Sequence, residues 1–165
     1  MGERVCKKDN AKCKMQNAKL RLIKFIATGF YSGYFPIAPG TAGSVVGILI
    51  YLVVISYQLS AISYFLITAS IVVIGIRVSG KAEDIFQKKD SQKIVIDEIA
   101  GMLISLFMLP PEFLTILSGF LIFRIIDITK PFHILEKLPR GFGIMMDDIA
   151  AGVSTNIILQ VVSHL

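Results

Sequence analysis

The chain has 165 residues, of which 54% are hydrophobic and 18% are charged, and its mean hydropathy is +0.69. A soluble domain usually carries about a quarter charged residues, so the composition excludes an ordinary soluble protein and predicts one integral membrane domain. The formal net charge of +5 comes mainly from the first 24 residues. Beside membrane segments, and without interleaved aromatic residues, such a basic stretch is expected to contact anionic lipid headgroups and no nucleic acid.

Residues 1–19 are polar and basic, and we expect a mobile tail that precedes a single helical domain, residues 20–165. Between Leu20 and Phe30 apolar residues alternate with two basic ones, a pattern typical of a helix that lies at the membrane interface. Residues 31–44 are rich in Gly, Pro and hydroxyl side chains, which predicts a loop.

Five apolar segments could then cross a membrane: residues 44–56, 63–76, 99–109, 113–123 and 149–163. With this topology every Lys and Arg falls on one face, which the positive-inside rule makes cytoplasmic, and eleven of the twelve acids fall there too. The segments 99–109 and 113–123 are short for a hydrocarbon core of about 30 Å, so a buried helical hairpin is an alternative. The predicted fold is all-α, a compact multi-helix membrane bundle with its active site at the cytoplasmic face.

The segment Pro36–Ser44 has two interpretations. In the functional one, Gly40, Thr41, Gly43 and Ser44 present backbone N–H groups and hydroxyls to a phosphate at the start of a helix. In the other, Pro39 to Thr41 form an ordinary turn plus an N-cap, since such helix starts are common.

Two acidic pairs lie near predicted span ends, Asp97-Glu98 and Asp147-Asp148. Either pair could cap a helix or lie in its first turn, where the helix dipole favours negative charge. A cap uses only one carboxylate, however, and each place supplies two. Ionised acids clustered at membrane depth cost free energy unless a cation neutralises them, so both pairs favour a functional site. Carboxylates without thiols or clustered imidazoles indicate a hard cation, Mg²⁺ before Zn²⁺.

Arg124, Asp127 and Lys130 are spaced at i, i+3 and i+6. Neighbours in this set could form a salt-bridge ladder at the interface. In the functional interpretation Asp127 is a metal ligand or base, while Arg124 and Lys130 grip phosphate oxygens. These features predict a binding site for a lipid that bears a phosphate. They are acids, basic residues and a Gly-rich loop, all at the same membrane boundary.

Four motifs, in order between about residue 20 and the end of the chain, resemble those of the phosphatidylglycerophosphatase A family. They are Gly33–Ser44, Ile94–Gly101, Phe123–Pro131 and Gly143–Gly152. The resemblance implies a mostly helical, Mg²⁺-dependent phosphatase of the bacterial inner membrane, with several spans and a cytoplasmic active site. It implies removal of the terminal phosphate from phosphatidylglycerophosphate, which gives phosphatidylglycerol.

The resemblance also implies roles for single residues. Asp97, Asp127, Asp147 and Asp148 would hold Mg²⁺ directly or through water, and Glu98 would orient the attacking water.

Asp127 and Asp148 would act in catalysis together with Glu98, while Arg124 and Lys130 would neutralise charge on the phosphoryl oxygens. Attack by an Asp that forms an acyl-phosphate stays open.

Two other functions stay open on the sequence. One is a non-enzymatic membrane module, such as a small ion carrier or a scaffold, and the other is a phosphatase of this type that is peripheral or soluble. The expected partners are phosphatidylglycerophosphate and membrane lipids, and the sequence makes no prediction about oligomeric state.

Overall fold

The computed structural model describes residues 10–88, 91–129 and 141–163. Within these ranges the structure is helical and contains no β-strand, which confirms the all-α prediction. The elements, in chain order, are α1 (Asn10–Ala27), a 3-10 turn (Ser32–Tyr34), α2 (Pro39–Ser56), α3 (Ala61–Phe86), α4 (Ile96–Ser105), α5 (Phe113–Thr129) and α6 (Gly141–Ser163). The predicted tail, residues 1–19, overlaps α1, and its first nine residues lie outside the described ranges.

Three of these helices, α2, α3 and α6, are long and apolar enough to cross a membrane. Their outer surfaces expose large apolar side chains, for example Leu49 on α2, Phe65 on α3 and Ile157 on α6, each more than half exposed. Water would disfavour so much contiguous apolar surface, whereas lipid tails would not. The structure therefore supports an integral membrane protein with three candidate spans.

Two of the expected boundaries were wrong. The predicted span 63–76 ends at Ile76, but α3 continues to Phe86, and its C-cap residue Gln87 adopts the left-handed conformation. The predicted span 149–163 begins at Ile149, but α6 begins at Gly141. Both helices continue because their polar stretches keep one buried face, which includes Ala82 on α3 and Met145 on α6.

The helix α4 is the centre of the bundle, and all its residues except Glu98 and Ile104 are buried. Its ten residues reach only about 15 Å, half of a hydrocarbon core. The predicted span 99–109 is therefore wrong, and the buried alternative is right for this segment. The predicted span 113–123 lies in α5, which is not among the three candidate spans.

Side chains of three neighbouring helices satisfy the carbonyl groups at the end of α4 and just beyond it. Tyr64 donates to the Leu103 carbonyl at 2.7 Å, and Tyr51 donates to the Leu109 carbonyl at 2.8 Å. Asn156 donates to the carbonyls of Ser105 and Phe107, at 3.1 and 2.8 Å. Since lipid offers no hydrogen bonds, these contacts allow a helix to end inside the bundle.

The contacts of four small residues show that α2, α4 and α6 run parallel. Along α2, Gly43 meets Val95 and Gly47 meets Met102, so both helices advance together. Gly152 of α6 meets Gly101 of α4, and one turn later on both helices Asn156 donates to the Ser105 carbonyl, so α6 runs in the same direction as α4.

The helices α3 and α5 run the opposite way. Along α3, Gly75 meets Met145, whereas the later Gly80 meets Gly141 at the start of α6. Along α5, Gly119 meets Leu106, whereas the later Phe123 meets Gly101. The N-termini of α2, α4 and α6 therefore lie at the same end of the bundle as the C-termini of α3 and α5. We call it the polar end. Acids of α3, α4, α5 and α6 lie there, as the predicted one-sided distribution requires, and Glu112 lies at the opposite end.

Candidate functional site

Three carboxylates meet at the polar end. Asp97 and Glu98 lie in the first turn of α4, and Asp148 lies in the second turn of α6. One oxygen from each lies within 4.8 Å of the others, close enough to hold a single metal ion. Asp97 and Asp148 are only 7% and 4% exposed, so this acid cluster (Asp97, Glu98 and Asp148) is part of the interior.

These acids are not helix caps. The N-cap residue of α4 is Val95, which makes no side-chain cap hydrogen bond, and Asp97 and Glu98 follow inside the helix. Asp148 lies well past the start of α6 at Gly141. The capping alternative is therefore wrong for both pairs, although the dipole at the start of α4 still favours negative charge nearby.

Two glycines set the separation of the acid cluster. Gly101 lies four residues after Asp97, and Gly152 lies four residues after Asp148, so each glycine is one turn below an acid on the same helix face. A Cβ placed on Gly152 would lie 2.5 Å from the Gly101 carbonyl oxygen. The two backbones are in direct contact, and the carboxylates one turn above are brought together as a result.

The sequence contains a signal for this contact that the prediction of the site did not use. Asp-Glu-Ile-Ala-Gly and Asp-Ile-Ala-Ala-Gly, which begin at Asp97 and Asp148, share the same acid-to-glycine spacing. That repeat places an acid and a close-packing position together on each of two helices.

Arg124 of α5 faces the acid cluster from the other side. Its Nη1 donates to Asp127 Oδ2 at 2.6 Å, an i,i+3 pair that is largely screened from solvent. The same guanidinium lies against the first turn of α2, because a Cβ placed on Gly40 would lie 3.1 Å from Nη1 and 2.5 Å from Glu98 Oε1. The Glu98 carboxylate and the Arg124 guanidinium therefore both lie next to Gly40, at the N-terminus of α2.

The electrostatics of Glu98 reflect this crowding. Its pKa is raised from 4.5 to about 8, chiefly by burial and also by the negative charges of Asp148 and Asp127, while a hydrogen bond with Asp97 offsets part of the shift. Its Oε2 atom is buried and has no hydrogen-bond partner among the described residues. A cation in the cluster would satisfy this oxygen and stabilise the ionised form.

Not every predicted site residue joins this arrangement. Asp147 lies outside the acid cluster, since neighbouring helical residues point about 100° apart. Ser44 is fully buried and its hydroxyl donates to the Gly40 carbonyl at 3.1 Å, so its proton is engaged within the helix. Thr41 is not an N-cap, because the cap position is Ala38. Lys130 lies outside the described residues.

Comparison with known proteins adds independent evidence. The family model described as Phosphatidylglycerophosphatase A matches residues 25–163. The Phosphatidylglycerophosphatase A of Haemophilus influenzae is 37% identical over 150 residues, which cover 88% of this chain and 91% of the relative. The Phosphatidylglycerophosphatase A of Escherichia coli is 37% identical over 145 residues, which cover 84% and 82%.

A candidate phosphatidylinositol-3-phosphatase of Bacteroides thetaiotaomicron is 35% identical over 145 residues, which cover 82% of this chain and 90% of the relative. No solved structure matches the chain. The family match extends over every helix from the end of α1 to α6, including all the residues that meet at the polar end. The chain belongs to the phosphatidylglycerophosphatase A family.

Proposed function

We propose that this chain is a phosphatidylglycerophosphatase, which hydrolyses the terminal phosphate of phosphatidylglycerophosphate to give phosphatidylglycerol and inorganic phosphate. The observation that carries the proposal is the acid cluster, with Arg124 and the first turn of α2 beside it. Such a site has anionic ligands for a metal ion. Close to them it has hydrogen-bond donors for a phosphate, which are a guanidinium and backbone N–H groups. Three helices that are long and apolar enough to cross a membrane support the choice of a membrane lipid as the substrate.

The donor set fits a hard divalent cation, which we propose to be Mg²⁺. The three clustered side chains provide only carboxylate oxygens, and Glu98 Oε2 is a buried acceptor without a hydrogen-bond partner among the described residues. Asp97, Glu98 and Asp148 would hold the ion, with Asp127 within electrostatic reach. When bound, such an ion polarises phosphoryl oxygens and lowers the pKa of a coordinated water.

The phosphate would be bound by Arg124 and by α2. The guanidinium carries five N–H donors in a planar fork, and its pairing with Asp127 fixes the plane of that fork. The first N–H groups of α2 have no acceptor within the helix and point out at its N-terminus. Gly40 permits the close approach, because any larger residue would collide with Glu98 and Arg124.

In the hydrolysis that we propose, a water oxygen attacks phosphorus as the bond from phosphorus to the glycerol oxygen breaks. Glu98, in its ionised form, would accept a proton from the water, and the departing glycerol oxygen would take up a proton. Arg124 would neutralise charge on the phosphoryl oxygens, which is where most catalysis of this transfer arises. Attack by an aspartate would instead give an acyl-phosphate, and trapping of a ³²P-labelled phosphoprotein by acid quench distinguishes the two routes, because only this route forms one.

We further propose that the protein is in the bacterial inner membrane with its polar end facing the cytoplasm. Lys24, Lys93 and Arg124 lie at that end, as the positive-inside rule expects. Accessibility of single cysteines introduced at Lys81 and at Glu112 to a membrane-impermeant thiol reagent, in a variant without Cys6 and Cys13, would test the orientation.

Phosphate release by the purified protein tests the enzyme proposal. We expect hydrolysis of phosphatidylglycerophosphate in the presence of Mg²⁺ and none after chelation. Asp148→Asn should lower the rate at least a hundredfold, because one ligand of the cluster loses its charge. Glu112→Gln, an exposed acid at the other end of the bundle, is the matched control and should keep full activity.

Phosphatidylinositol 3-phosphate belongs in the same assay, because one relative carries that substrate in its name. A higher kcat/KM for it than for phosphatidylglycerophosphate would overturn the substrate that we propose. Full activity of Asp148→Asn on either lipid would overturn the site.

A further inference from the structure

Two lysines and two aromatic rings form a cluster at the polar end that the proposed reaction has not used. Lys93 Nζ lies 5.2 Å from the ring centroid of Tyr34 and 5.7 Å from that of Phe86. Lys24 Nζ lies 5.9 Å from the same Phe86 ring. These distances are within the range in which a ring face attracts a cation, so Phe86 holds two positive charges near each other.

The ion pair that the structure gives among the described residues, Arg124 with Asp127, involves neither of these lysines. The lysine–aromatic cluster (Lys24, Lys93, Tyr34 and Phe86) contains two cations and no acid, so it is suited to bind an anion.

The depth of this cluster in the membrane follows from the segment beside it. Between Phe30 and Ile37 the chain exposes a series of apolar and aromatic side chains, with Tyr31 at 53%, Phe35 at 55% and Ile37 at 86%. Ile37 lies two residues before α2, which is a candidate span. Exposed aromatic residues at the end of a span mark the level of the lipid headgroups, so the cluster lies where lipid phosphates lie.

The backbone connects Lys93 firmly to the acid cluster. A Cβ on Gly33 would collide with the Lys93 carbonyl oxygen, the Val95 N–H donates to the Ala27 carbonyl at 2.9 Å, and Val95 packs against Gly43. Four residues separate Lys93 from Glu98, and the last two of them already belong to α4. Lys93 is therefore fixed relative to the site, on its lipid-headgroup side.

The substrate carries two phosphates of different kinds, on the proposed function. The terminal phosphomonoester is hydrolysed, whereas the phosphodiester joins the headgroup to the acylated glycerol and stays at headgroup depth. We propose that Lys93, assisted by Lys24, binds this phosphodiester and so determines that the substrate is a phospholipid. This inference rests on the proposed function and adds a specificity-determining residue to it.

Kinetics of Lys93→Gln in micelles of an uncharged detergent test the inference, because such micelles remove the attraction of a charged membrane surface. We expect the KM for phosphatidylglycerophosphate to rise about tenfold with kcat nearly unchanged, as the loss of one charge-assisted contact predicts. Glycerol 3-phosphate carries a phosphomonoester and no phosphodiester, so its inhibition constant should stay within about twofold of the wild-type value. Lys81→Gln, an exposed lysine of α3, is the matched control and should leave all three constants unchanged.

Four results would overturn the inference. An unchanged KM would show that Lys93 does not contact the substrate, and an equal weakening of glycerol 3-phosphate would indicate a general structural effect. A loss seen only in vesicles rich in anionic lipid would assign Lys93 to bulk lipid attraction. If the wild type does not hydrolyse phosphatidylglycerophosphate, that lipid is rejected as the substrate, and the wild type and Lys93→Gln are compared on phosphatidylinositol 3-phosphate. Inactivity on both lipids would overturn the inference as well.

Discussion

Gly101 of α4 and Gly152 of α6 meet backbone to backbone, and each lies one helical turn below an acid of the cluster. The distance between Asp97 and Asp148 is therefore set by a contact that contains no side chain. Any residue other than glycine would push the helices apart, and the acids would separate with them.

We expect Gly152→Ala to lower both stability and activity. Its Cβ would lie 2.5 Å from the Gly101 carbonyl oxygen, and the backbone cannot move as a side chain can. Such overpacking costs about 1–3 kcal/mol, which exceeds the gain of about 1 kcal/mol in helix propensity. The unfolding temperature in detergent should fall, and phosphate release should fall at least tenfold.

Gly119→Ala is the matched control for this substitution. The nearest atoms to its Cβ would be side-chain ends of Leu106 and Leu159, at 3.0 and 3.2 Å, which can shift slightly. Equal effects of the two substitutions would contradict the role that we assign to the Gly101–Gly152 contact.

Gly40→Ala should reduce activity while the fold stays intact. The added Cβ would lie 2.5 Å from Glu98 Oε1 and 3.1 Å from Arg124 Nη1, so the Glu98 carboxylate must move and the guanidinium must shift by a few tenths of an ångström. Gly40 is partly exposed in the first turn of α2, so little packing is lost. We expect kcat/KM to fall at least tenfold with a small change in unfolding temperature, and wild-type kinetics would contradict the proposed phosphate site.

Arg124→Lys keeps the charge but should lower kcat/KM by about tenfold or more, since a lysine cannot bind Asp127 and a phosphate through one planar fork. Steady-state kinetics with the lipid substrate measure the loss. Arg77→Lys, an exposed arginine of α3, provides the comparison and should behave as wild type. If both variants keep full activity, Arg124 acts only through its charge.

The raised pKa of Glu98 predicts how the metal-free protein responds to pH. Its folded-state pKa is about 8 against an ordinary 4.5, so between these values the folded state keeps a proton that the unfolded chain has released. The free energy of unfolding should therefore be highest below pH 4.5 as far as Glu98 is concerned, and should fall as pH rises towards 8. Mg²⁺ should restore stability near pH 8, because it favours the ionised carboxylate.

Thermal unfolding in detergent, with a chelator and then with Mg²⁺, measures this effect across the pH series. Glu98→Gln cannot titrate, so its pH dependence should be flatter than that of the wild type, and Mg²⁺ should stabilise it less. An identical slope for both proteins would show that Glu98 is not the titrating group.

Local sequence was sufficient for much of this protein. Long uncharged runs predicted membrane helices because lipid tolerates few charges, and the one-sided distribution of Lys and Arg predicted that the polar ends would share one face. The acids Asp97, Glu98 and Asp148 were recognised as candidates because adjacent carboxylates near lipid need a cation.

Only the tertiary structure decided which acids meet, and how deeply α4 is buried. A ten-residue helix can end inside a membrane only when its carbonyls find donors, and Tyr51, Tyr64 and Asn156 come from three other helices. The acid cluster likewise depends on Gly101 and Gly152, which are 51 positions apart in the sequence. Hydropathy reports only whether a segment prefers lipid or water. These contacts depend on the directions of the helices and the distances between them, which are fixed only in the packed bundle.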